Sequence, residues 1–313
     1  MSPVPLLRDR RLWRLLALAA VLRMVVGLHQ WSADPTMSGL LSDSLYYRAW
    51  AEELLGRGDF AGEGPGLPYW MPPLYPQLLA WVGASVGAML VFQGLLGLVT
   101  TVLVVALGEE LLEPGPERRA AALWGGLLAT LYAPLVFFEG RLLGASLATF
   151  LAAATLLAAA RWLRSADPSD PADRPPTRRL AWLALAGLLC GLMALVRPNT
   201  LLAVPALAAW VLVRGRRGGL AWAPSLAGSL LVGLAALAPL LPSLAHNHAA
   251  EGELVPITAN GGVNFYFGNN PEDVDWVAER LARQTLALPM YPELTFQQQE
   301  DIVEEIRRAV RSL

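Results

Sequence analysis

Lysine is absent from this 313-residue chain: all 24 of its basic residues are arginine. A Schiff-base lysine and a phosphate-gripping P-loop lysine are thereby excluded, and cationic work falls to Arg. The single cysteine, Cys190, lies inside an apolar run, so neither an intrachain disulfide nor a cysteine metal cluster can be built. Charge of either sign is scarce, at 16% of residues against 55% hydrophobic, with a mean hydropathy of +0.43. So little polar surface cannot clothe a soluble globule of this length, which makes the chain an integral membrane protein. The net charge of −2 says nothing useful about nucleic acid, for which the distribution of charge matters more, and no nucleic-acid partner is expected.

What is present is a series of apolar runs, at roughly 12–28, 88–110, 119–138, 141–162, 180–196, 199–213 and 220–244. Each is near the length that crosses about 30 Å of hydrocarbon, the sixth being short. The expected fold is an all-α polytopic membrane protein of about seven transmembrane helices, the membrane module covering 1–244 and a tail covering 245–313. Arg8, Arg10, Arg11 and Arg14 precede the first run and could read as a signal peptide, but Arg23 interrupts that run and no small-residue cleavage site follows. An uncleaved first helix with a cytoplasmic N-terminus is therefore expected. Arg118, Arg119, Arg161, Arg164, Arg174, Arg178, Arg179, Arg214, Arg216 and Arg217 then all fall inside, as the positive-inside rule requires. Counting 73–86 as a further span would move Arg118 and Arg119 outside, so that stretch is read as interfacial. The proline- and charge-rich segment 164–179 reads as a spacer.

The large first extracytoplasmic loop, 29–88, holds SDSLYYRAWAEELL and PYWMPPLYP, with far more ring surface than a solvated linker carries. Aromatics at that density belong at a membrane–water boundary. Asp43 opens a predicted amphipathic helix in which Leu45, Tyr46, Ala49, Trp50 and Leu54 recur at helical spacing. It reads either as a helix cap or as a functional carboxylate. Glu139, after the third span, falls on the same face, and reads either as a second functional acid or as the ion-pair partner of Arg141. Arg197, in VRPNT, breaks the fifth span from the sixth. There it can grip a lipid phosphate with its planar fork, or simply snorkel. His246 and His248 read as solvated side chains rather than as a metal pair.

An acid after the first span, a YxxAxxL-like helix (Tyr47, Ala51, Leu54), a PPLYP step, an acid after the third span, an RPN turn and a late GGVNFYFGNNP stretch follow one another in order. Together they resemble the GT-C membrane glycosyltransferases, in the branch of protein O-mannosyltransferases and lipid A aminoarabinose transferases. The resemblance implies a seven-span module that moves a sugar from a polyprenyl-phosphate donor to an extracytoplasmic glycan, lipid or protein acceptor, in the cell (inner or plasma) membrane. It implies Asp43 as the catalytic acid of the first external loop, with Glu139 as the second acid. Substrate contacts are expected from Tyr46, Tyr47, Tyr75, Arg141, Arg197, Asn264 and Tyr266. No cofactor is required by it, although a divalent metal would suit the departing phosphate.

Two departures accompany the resemblance. Met71 stands where several relatives carry a basic residue before the PP step, leaving Arg197 to meet the donor phosphate. Relatives also continue into further spans, whereas this chain stops at Leu313 after an amphipathic stretch, 296–310, and is expected to be a C-terminally truncated product. A membrane transporter, a lipid-binding protein without chemistry, or an inactive fragment of a transferase is the alternative class.

Overall fold

The structure, a computed structural model, describes residues 5–34, 40, 43–57, 67–165, 176–219 and 221–260. The chain divides into two units, Met1–Ala259 and Asn260–Leu313, and the description below is of the first. Asn264, Tyr266 and the amphipathic stretch 296–310 lie outside the described residues.

Among the described residues the architecture is entirely helical. In chain order the helices are α1 (Arg10–Ala33), α2 (Asp43–Leu54), α3 (Leu74–Trp81), α4 (Val86–Leu111), α5 (Arg118–Leu131) and α6 (Ala133–Glu139). They continue with α7 (Ala145–Ser165), α8 (Pro176–Ala194), α9 (Ala203–Arg217), α10 (Trp222–Leu237) and α11 (Leu241–Glu251). Six helical stretches are long and apolar enough to cross a membrane, the last running from Trp222 to Glu251. The third predicted span, 119–138, is instead a bent pair of helices, which counts as a seventh span only if the pair crosses as one. Tyr132 leaves helical geometry, Pro134 follows in the first turn of α6, and α5 and α6 meet at 56°.

The outer surface is that of a protein turned to lipid. Trp124 and Leu128 on α5, and Leu230 and Leu234 on α10, are each 65% to 69% exposed, as apolar surface is when hydrocarbon rather than water surrounds it. Burial between helices relies on small residues, since lipid gives no hydrophobic drive for helices to associate. Gly187 and Gly191, four apart on α8, show it best: a Cβ at either would collide with the α10 carbonyls of Val232 and Ala236. Helix α4 is the hub, packing against α1, α5, α6 and α7, while α8 packs between α7 and α10.

Arginines gather at one end of the bundle, where they close the helix termini. Asp9 caps α1 by accepting from the Arg11 N–H at 2.9 Å, and also meets the Arg11 and Arg119 guanidinium groups. The hydrogen bond from Arg11 holds the Asp9 carboxyl down to about 2. Arg119 also pairs with Glu109, and Arg164 donates to the carbonyls of Glu109, Glu110 and Leu112 that α4 leaves open at its C-terminus.

The opposite end carries α2 and α3. Eight residues of α3 rise about 12 Å, far short of a crossing. The chain then turns through Gly83 and Ala84, both at positive φ, into α4. Tyr47 and Ala51 of α2 pack on Tyr75, Leu79 and Ala80 of α3, with Met89 and Leu142 beneath. Thus the short pair α2–α3 packs together at this end of the bundle, with Met89 of α4 in the same cluster. The first unit extends past the predicted boundary at 244: Asn247 on α11 accepts from the Tyr69 N–H at 2.8 Å and donates to the carbonyls of Val255 and Ile257.

Candidate functional site

The site is best built from Tyr47 outward. Its helix starts at Asp43, so that Asp43 is the first helical residue, where a carboxylate meets the favourable end of the helix dipole. Four residues on, Tyr47 points inward and is buried, while Asp43 itself is exposed. Burial pushes the Tyr47 hydroxyl up to about 12, the Asp43 carboxylate raises it further within that total, and the Arg197 guanidinium pulls the other way. One phenol thus lies within electrostatic reach of both an acid from α2 and a cation from the break between α8 and α9. The Arg197 side chain is exposed, on extended backbone just before the turn Pro198–Leu202.

Behind Tyr47 lies a polar seam. Its ring meets that of Tyr75 at 5.0 Å, and the Tyr75 hydroxyl donates to Gln93 Oε1 at 2.6 Å. Gln93 in turn donates to the carbonyls of Glu139 and Arg141 at 2.8 and 2.7 Å. Tyr46 stands beside this seam, edge-on to Tyr47 and Trp50.

Glu139 occupies a different place from the one expected. Its carboxylate is buried between helices, where Arg23 of α1 meets it twice: Nη2 donates to Oε1 at 2.9 Å, and Nε lies 2.7 Å from Oε2. Of the two readings of Glu139, the ion pair with Arg141 is therefore corrected to one with Arg23. Arg141 pairs with Asp34 at the end of α1, its guanidinium 4.5 Å from the centre of the Phe137 ring. The reason is the break at Pro134, which turns α6 so that Glu139 faces the bundle interior while Arg141 stays at the rim. Tyr47, Tyr75 and Gln93 stand between Asp43 and the Glu139 backbone, so the two acids do not share one surface. Of the three residues grouped from the sequence, Asp43 and Arg197 are exposed, whereas the Glu139 carboxylate is buried on Arg23.

Two cavities flank the buried pair. One, of about 70 Å³, is lined by Glu139, Arg23, Thr100, Ser146 and Thr149. The Ser146 hydroxyl there has no hydrogen-bond partner among the described residues. The other is an apolar slot of about 540 Å³ between α1 and α4, floored by α6.

Sequence reasoning missed Gln93, Asn247 and the partner of Arg23. A lone amide in the otherwise apolar α4 and a lone charge in α1 were the available signals, since such groups in a span need partners. His246 is a scaffold residue: it stacks on Tyr69 at 4.1 Å, with Nε2 3.0 Å from the Leu67 carbonyl. No group of three or more His, Cys, Asp or Glu side chains stands together among the described residues to hold a metal. No protein-family model matches the chain, and no curated protein or solved structure matches it either.

The Asp43–Tyr47–Arg197 arrangement makes a measurable claim. In a ¹³C-tyrosine titration, with Tyr47→Phe assigning the resonance, the Tyr47 transition is expected near pH 12 rather than near 10. Neutralising Asp43 as Asn should lower the midpoint, and Arg197→Ala should raise it. A midpoint that responds to neither substitution would separate the three residues.

Proposed function

We propose that this chain is a membrane glycosyltransferase that moves a sugar from a polyprenyl-phosphate donor to an acceptor hydroxyl, with inversion at the anomeric carbon. The observation that carries the reading is the packing of Tyr47 on Tyr75 at 5.0 Å together with the hydrogen bond from the Leu74 N–H to the Leu195 carbonyl, which brings the Asp43 helix to the end of the bundle that carries the Arg197 turn. The order of motifs shared with the GT-C enzymes supports it.

Transfer from a lipid phosphate has a leaving group that departs as a stable anion, so no strong general acid is needed. It requires a base for the acceptor proton and a cation for the departing charge. In the proposed step the acceptor oxygen attacks the anomeric carbon from the face opposite the phosphate. A new carbon–oxygen bond forms as the bond from sugar to phosphate oxygen breaks, and the phosphate keeps that electron pair. The hydroxyl proton passes to the Asp43 carboxylate. Arg197 meets the phosphate with its guanidinium fork, which suits a site at headgroup depth. Tyr46 backs the sugar, with the buried Tyr47 and Tyr75 supporting it from within, and the active face is extracytoplasmic.

A second reading, a transporter or lipid-binding protein without chemistry, has the Arg23–Glu139 pair in its favour, because ionisable residues inside a membrane mark functional pathways. Arg197 discriminates between the two. In a transfer assay with a polyprenyl-phosphate sugar, Arg197→Ala should raise the donor KM and lower kcat, the loss in kcat/KM being about 10²-fold, as for removal of an oxyanion-stabilising donor. Arg197→Lys keeps the charge without the fork and should recover part of the loss. Unchanged kinetics in both variants would remove Arg197 from the site.

A further inference from the structure

Arginines crowd the end of α1 where a helix least favours them. Arg10 and Arg11 open the helix, Arg14 follows one turn on and Arg8 lies just before it, yet the N-terminal end of a helix dipole disfavours cations. They also repel one another. Arg14 is four residues from Arg10 and three from Arg11, the spacings at which like charges on a helix destabilise it. Asp9 answers part of this charge: it takes Arg11 through Nε at 3.2 Å and Nη2 at 3.0 Å, and also meets Arg119. That side-on grip does not use Arg11 Nη1. Arg8, Arg10 and Arg14 have no acid partner among the described residues.

Beside these cations lies a groove of about 390 Å³ between α1 and α5. The two helices set out in the same direction, since Arg119 in the first turn of α5 meets the Asp9 that caps α1, and Leu12 and Leu15 pack with Ala122 one turn further along. Arg11 and Arg14 line the groove where it begins, and from Arg11 to Leu18 α1 rises about 10 Å. Beyond the arginines its lining is apolar: Leu15 and Leu18 of α1, and Leu123, Trp124 and Leu127 of α5. Leu18 and Trp124 are exposed, while Leu15, Leu123 and Leu127 are packed more deeply. One groove thus offers unanswered positive charge at one end and apolar surface along the rest, the complement of an anion that carries a hydrocarbon tail.

We infer that this groove binds an anionic glycerophospholipid, its phosphate on Arg14 and Arg11 and the ester end of one acyl chain along Leu18, Leu123 and Trp124. The phosphate supplies the counter-charge that Asp9 leaves incomplete, and a guanidinium fork suits phosphate oxygens. A water-soluble anion would leave the apolar lining unused. A second copy lying parallel to the first and meeting it through this face would set arginines against arginines. The inference stands apart from the transferase reading, since the groove lies at the end of the bundle opposite α2 and α3.

The test uses the full chain in vesicles of phosphatidylglycerol and phosphatidylcholine in equal parts. Trace photolipid of one headgroup or the other, net anionic or net neutral, bears a diazirine near the ester end of one acyl chain. After irradiation labelled peptides are mapped, and each groove signal is divided by that at Leu230 and Leu234, exposed apolar residues of α10, a helix without arginine. So normalised, the phosphatidylglycerol probe is expected to label Leu18, Leu123 and Trp124 about fivefold more than the phosphatidylcholine probe, the preference that one basic residue gives at an anionic lipid surface. Arg14→Gln should remove the difference, and Arg14→Lys, which keeps the charge, should retain most of it. Arg14 is exposed and makes no ion pair, so both variants should fold, and the α10 labels report whether they do. Glycerol phosphate in solution should leave the labelling unchanged. Equal labelling by the two probes, an excess that survives Arg14→Gln or is lost in Arg14→Lys, competition by glycerol phosphate, or cross-links joining two copies through α1 and α5 would each overturn the assignment.

Discussion

Asp43→Asn is expected to slow sugar transfer by about 10²–10⁴-fold, the range a positioned general base contributes. The substitution keeps the size of the side chain and its hydrogen-bonding reach but removes the carboxylate that, in the proposed transfer, takes the acceptor proton. Asparagine also remains suitable at a helix start, so α2 and its packing through Tyr47 and Trp50 should persist. The loss should fall on kcat, with the donor KM little changed, because the proposed step assigns the donor phosphate to Arg197 rather than to Asp43. A loss confined to KM would assign Asp43 to binding instead. A rate equal to that of the native chain would end the catalytic assignment altogether.

The largest effect on stability is expected from separating Arg23 and Glu139. The pair is buried between α1 and α6, with side chains 8% and 9% exposed. Removing one partner leaves the other as an uncompensated charge, a loss of about 3–5 kcal/mol for buried pairs. Glu139→Ala and Arg23→Ala should each lower the unfolding midpoint of the detergent-solubilised protein strongly. The double substitution Arg23→Met with Glu139→Leu should be far milder than the sum of the single changes, since two well-packed apolar side chains often replace such a pair at little cost. Additive losses would show that the two side chains are not coupled. Gly97 belongs to the same test: a Cβ there would collide with the Glu139 carboxylate and Arg23, so Gly97→Ala should destabilise as well.

Much of the membrane architecture is legible in the apolar runs because span length and apolar composition leave few alternatives. The run at 88–110 becomes Val86–Leu111, and that at 199–213 becomes Pro198–Arg217. The short α3 is legible from its prolines and its length. The break at Pro134 is not, because an apolar run shows where hydrocarbon is met but not whether the helix stays straight within it. That break alone moves Glu139 from the rim to the interior, which is why its partner could not be read from neighbouring residues: Arg141 is two positions away, while Arg23 is on another helix. Arg197 was legible at its turn. Its company with Tyr47 was not, since the two come together only through the packing of α2 on α3 and of Leu74 against Leu195, where the Leu74 N–H donates to the Leu195 carbonyl at 3.2 Å.

The kink between α5 and α6 also governs how the chain can be assembled. Backbone carbonyls near a helix break cannot be left bare in hydrocarbon. Here Phe137 is served by an amide from α1, and Glu139 and Arg141 by an amide from α4. The bent segment follows both of those helices in the order of synthesis. It can therefore complete its hydrogen bonds only once both of those helices are in place.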